Sequence, residues 1–174
     1  SDLPWKLRPD AVAVLAEMDH ESVFETIVTA CADPTREVRA AAARALFKIT
    51  FDRGQSWARI VESGDVSRMR HAARCAIGAD LVMRSFDRLI HTDRNMAYEA
   101  FALTALMIRS GETEAVIRAI SEHKVENVRL ALLHTLQIIK EEKTFEELSE
   151  LLNCTNLPAG VGGKMDEGRS CVQS

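Results

Sequence analysis

Chain breakers and aromatic residues are scarce here. Aromatics make up 5% of the chain, and between Asp10 and Leu152 there is one proline, Pro34, and four glycines, Gly54, Gly64, Gly78 and Gly111. A β-sandwich or barrel needs a turn about every ten residues, so those architectures are excluded. No apolar run approaches the roughly 20 residues of a membrane-spanning helix. The four cysteines, Cys31, Cys75, Cys154 and Cys171, form no CxxC pair, which excludes zinc ribbons and thioredoxin-like sites. A chain of this size builds a core without disulfide staples, so reduced thiols and a cytoplasmic setting are expected. Phosphate-loop, dinucleotide, nucleophile-elbow and zinc-helix motifs are missing. His20, His71, His91, His123 and His134 show no i, i+3 or i, i+4 ligand spacing, so neither a metal nor a cofactor is expected. No signal peptide is visible, and the opening Ser1 leaves room for a removed leader or upstream domain.

Apolar residues, by contrast, are plentiful: 47% against 28% charged, which points to a folded body and not to disorder. They also recur. Val38-Arg39, Ala41-Ala42 and Ala45-Leu46 place apolar residues at 0, +3, +4, +7 and +8 from Val38, one face of an α-helix. The frame returns from Met69, Tyr98 and Val128, with a weaker copy from Leu7, so the lead residues stand 31, 31, 29 and 30 apart. This predicts five long helices at about 6–18, 35–50, 67–79, 94–109 and 125–140. Shorter helices centred on Ile27-Val28, Ile60-Val61, Leu89-Ile90 and Ala119-Ile120 precede the last four. Another is predicted over 143–152, with Phe145, Leu148, Leu151 and Leu152 on its apolar side. Glu141, Glu142, Glu146, Glu147 and Glu150 then form a solubilising outer side of that terminal helix. In the intervening turns Asp33, Asp65 and Asp93 are placed to cap the next helix, with Pro34 in its first turn. Trp57, beside Ile60, reads as a packing residue.

Asp33-Pro34 followed by Val38-Arg39, with the Ala-Ala and Ala-Leu pairs, resembles the HEAT repeat. The roughly 30-residue period is closest to the short variety named after phycobilisome lyases. The resemblance covers about 6–152. It implies an all-α fold: an α-solenoid of about five stacked helix pairs in a right-handed superhelix, each pair buried only against its neighbours. It also implies bonds between the turn Asp and the long-helix Arg of adjacent repeats, which Asp33 with Arg39 and Asp65 with Arg70 match. Glu99 and His123 depart from that pattern. The first copy lacks its short helix, so residues 1–152 read as an array that is either cut from a longer protein or capped by residues 1–5 with Trp5. Residues 153–174, containing Pro158, Gly160, Gly162 and Gly163, read as a flexible tail. HEAT-like repeats serve many roles. The iron-binding hydroxylases among them use several His-Glu dipeptides, and only His20-Glu21 occurs here. No residue match points to lyase or DNA-glycosylase activity.

In arrays of this family the long helices line the concave side, and the side away from the core consists of positions +2, +5, +6 and +9. Across the five copies those positions hold only two charges, Arg44 and Arg74. Solvated helix faces are normally rich in Lys and Glu. The strip is therefore expected to bind a protein or peptide as a non-enzymatic scaffold. Phe47, Leu103 and Met107 would supply affinity, Arg44 and Arg74 orientation, and Leu133 and His134 the rest of the surface. Burial of the strip inside the array or a parent protein, or cover by the tail, are the competing readings. Charge is uneven as well: residues 1–33 carry −5, 34–94 carry +5 and 95–174 carry −4. Arg36, Arg68 and Arg94 begin successive long helices, and Arg84 and Arg88 stand a turn apart. Together they make an edge suited to anions, with nucleic acid as the alternative partner. A structural segment of a larger assembly is the other alternative. The terminal Cys171-Val172-Gln173-Ser174 resembles a prenylation box, the one route to a membrane.

Overall fold

The computed structural model describes residues 7–18 and 20–140, and among these it is all-helical, with no strand. The helices are α1 (Arg8–Glu17), α2 (Phe24–Ala30), α3 (Arg36–Lys48), α4 (Arg53–Glu62), α5 (Val66–Gly78), α6 (Leu81–Arg88), α7 (Arg94–Arg109), α8 (Glu114–Glu122) and α9 (Glu126–Lys140). A 3₁₀ turn, Glu21–Val23, leads into α2. None of these helices is long and apolar enough to cross a membrane. The predicted 143–152 helix with its glutamates, the 153–174 tail, Trp5 and Cys171 lie outside the described residues.

Aspartates start the helices much as the turn chemistry predicts. Asp65 accepts from Arg68 N at 3.1 Å, Asp93 from Asn95 N at 2.8 Å, and Asp52 from Gln55 N at 3.2 Å. Each satisfies an amide that the first helical turn leaves without a partner. Asp33 works one step earlier. Its carboxylate accepts from Thr35 N at 2.7 Å, and Thr35 then precedes α3, so Pro34 sits before the helix and not in its first turn. Histidine makes the same bond as Asp33 in three turns: Nδ1 of His20, His91 and His123 accepts the amide of the residue two further on, at 3.2, 3.0 and 3.2 Å, His91 alongside the Asp93 cap. The third short helix is displaced from its predicted centre. It starts from Asp80, whose φ of 56° is left-handed, and ends at Arg88, leaving Leu89 buried in the following turn.

The expected Asp–Arg ladder takes a different form. Arg39 Nη1 donates to the backbone oxygens of Asp33 and Pro34, both at 2.8 Å, and Arg129 Nη1 repeats the bond to His123 O at 2.6 Å. A carbonyl is the acceptor in both turns, so His123 costs the motif nothing. The Asp33 carboxylate is left to hold Arg8 of α1 at 3.1 Å. Glu99 is likewise committed elsewhere, to Arg53 at 3.0 Å.

The predicted core frame holds best in α3, where Val38, Ala41, Ala42, Ala45 and Leu46 are all buried. In α1 it is shifted by one residue: Val12 and Ala16 are buried while Leu7 and Val14 are exposed. The frame there starts from Arg8. Between consecutive helix pairs the short helix of one meets the long helix of the next, α2 on α5, α4 on α7 and α6 on α9. The α4–α7 contact is the most extensive, and glycine makes it possible. A Cβ on Gly54 would stand 2.6 Å from Tyr98 Cδ1. Trp57 of α4 is buried as its spacing predicts, edge-on to Phe24 with ring centroids 4.8 Å apart. Long helix meets long helix at α1–α3, α5–α7 and α7–α9, but α3 and α5 are not closely packed.

Candidate functional site

Where α3 and α5 stand apart, a cleft of about 430 Å³ opens between α3 and α6, with α4 and α7 beneath it. Side chains buried in the core, Phe24, Leu46, Trp57 and Leu103, supply its apolar inner surface. The α3 side contributes Ala40, Ala43 and Phe47, of which Phe47 is bulky and 81% exposed. Gly78 and Ala79, at the end of α5, keep the opposite shoulder low.

Five arginines, Arg36, Arg39, Arg53, Arg84 and Arg88, line the same cleft against two carboxylates, Asp80 and Glu99. They differ in commitment. Arg53 bridges Leu46 O at 2.9 Å and the Glu99 carboxylate at 3.0 Å, tying α3, α4 and α7 together. Arg39 is held by the two carbonyls of its turn, which fix the guanidinium without cancelling its charge. Arg84 lies 3.7 Å from Asp80, a largely exposed pair worth little. Arg36 and Arg88 make no ion pair among the described residues.

Cys31 also lines the cleft. Burial, reinforced by nearby Cys75, pushes its thiol up to about 11. It therefore stays protonated at neutral pH and acts as a small apolar group, not a nucleophile. The described residues contain no cluster of three or more His, Cys, Asp and Glu side chains suited to a metal ion.

The cleft gathers only part of the predicted surfaces. Of the strip it takes Phe47 and Leu103, and of the edge Arg36, Arg84 and Arg88. Leu103 and Met107, expected on an open wall, are 3% and 0% exposed and belong to the hydrophobic core, because α4 and other helices close around α7. Leu103 reaches the cleft only as part of its floor. Arg44 is exposed outside the cleft, and Arg74 is engaged by Glu112 at 2.8 Å. On α9, Leu133 is exposed and His134 half-buried, away from the cleft. Arg68 pairs with Glu25 on another part of the surface, and Arg94 also lies elsewhere. No single strip or edge therefore survives intact. Sequence reasoning passed over Arg53 and Arg39 as site residues; a signal for Arg53 was its place directly after the Asp52 cap, at the foot of α4.

No protein-family model, curated protein or solved structure matches this chain.

Proposed function

We propose that the chain is a non-enzymatic, HEAT-like helical-repeat module that docks a segment of another polypeptide in the α3–α6 cleft. The observation that carries this reading is the combination of a 430 Å³ concavity, an apolar floor and a phenylalanine 81% exposed on its wall. A scattered exposed apolar residue needs no explanation, but one bordering a cleft of ligand-pocket size does. The floor is built from core side chains, so the concavity is preformed, and a partner avoids the cost of ordering it. The solenoid part of the reading rests on the recurring frame and on the packing relation repeated at α2–α5, α4–α7 and α6–α9.

The test is a displayed-peptide selection on the wild-type protein, counter-selected against Phe47→Asp. Peptides enriched on the wild type alone are expected, and their binding should fall at least about tenfold in the variant, as for a central anchor residue. Equal enrichment on both proteins would remove the cleft as the docking site.

A further inference from the structure

We infer that the segment taken up in this cleft is acidic, carrying carboxylates on either side of a bulky apolar side chain; the inference rests on the docking role proposed for the cleft. Charge decides it. The arginines lining the cleft outnumber the carboxylates five to two; Glu99 is held by Arg53 at 3.0 Å, and Asp80 faces Arg84 at 3.7 Å. Arg36 and Arg88 remain without an ionic partner among the described residues. Arg39 presents its charge from a fixed position. A neutral or basic segment would leave these guanidinium groups beside a low-dielectric floor without compensation. An acidic one supplies planar carboxylates that the guanidinium fork accepts in pairs.

Phosphates would satisfy the same arginines, but they do not suit the rest of the cleft. Its interior is apolar, and its one prominent exposed aromatic, Phe47, gives single-stranded bases no succession of stacking platforms. A peptide brings apolar side chains for the floor and carboxylates for the rim on one backbone. Nucleic acid does not. The chain as a whole carries −4, so this basic cleft is a local exception that orients an acidic partner on approach.

The experiment is fluorescence anisotropy of the full chain with three labelled probes: a peptide of repeated Glu-Glu-Leu-Phe, its Gln-Gln-Leu-Phe counterpart, and an oligothymidylate of matched charge. The Glu peptide is expected to bind at least about tenfold more tightly than the Gln peptide, and that margin should shrink as salt screens the arginines. Arg36→Glu combined with Arg88→Glu should abolish the margin while leaving the melting curve unchanged, since neither arginine holds a described ion pair. Phe47→Asp should weaken both peptides. If both peptides bind equally and both need Phe47, the cleft docks polypeptides but the acidic preference is wrong. If neither peptide binds, the docking role and this inference fall together. Tighter binding of the oligothymidylate, lost on the double Arg substitution, would overturn the inference in favour of nucleic acid.

Discussion

Helices α3 and α7 carry the same apolar frame, yet their opposite sides meet different fates. In α3, positions +5, +6 and +9 are Ala43, Arg44 and Phe47, and all three are exposed. In α7 the equivalent Leu103, Thr104 and Met107 are all buried. The reason lies in neighbours: α4, α5, α6, α8 and α9 all pack on α7, whereas α3 meets chiefly α1 and α2. Burial on one face tells which side of a helix is core, but only the number of surrounding helices decides whether the other side is surface. The contrast also locates the cleft. The helix left open on one side is the one that borders the cleft.

Substitutions can break that contrast directly. Leu103→Asp should unfold the protein or cost about 4 kcal/mol or more, because it buries an unpaired charge. Phe47→Asp should lie within about 0.5 kcal/mol of wild type. Urea denaturation followed by circular dichroism measures both, and similar losses would erase the distinction. Met107→Ala should cost about 2–5 kcal/mol as a buried cavity, against little for Phe47→Ala. Gly54→Ala tests the contact that encloses α7: the new methyl would meet the Tyr98 ring, and a loss of about 1–3 kcal/mol is expected.

The smallest effect concerns Asp33 and acid. Burial pushes its carboxyl up, but the Thr35 bonds and the Arg8 guanidinium outweigh that and hold it below the ordinary value of 3.8. A carboxyl depressed in the folded state contributes stability that is present above the unfolded value and is lost as pH falls through the folded one. Asp33→Asn should therefore be slightly less stable near neutrality and show a flatter decline below about pH 4, measured as melting temperature against pH.

Among the described residues the helices and most of their boundaries were legible because the apolar frame repeats and aspartates mark the turns. What escaped was the environment of each helix. From Ala100 to Met107 α7 has no charged residue, a mark of a helix buried all round that the comparison of copies position by position obscured. Periodicity assigned Arg8 and Leu7 to the wrong places because α1 offers too few strongly apolar residues to define a single phase. The cleft was not legible at all. It depends on α3 and α5 not packing closely, a property of spacing between non-consecutive helices that no local pattern records.

Gly54 has a consequence for how the molecule comes apart. Repeat proteins whose layers touch only their nearest neighbours can fray from an end. The α4–α7 contact that the glycine allows joins two consecutive helix pairs and is the most extensive among the described helices, so this boundary should be the last to open. The two helices should open together in a single cooperative step. Amide hydrogens in α4 and α7 should then exchange at one common rate, the slowest in the protein, and α1 should exchange sooner.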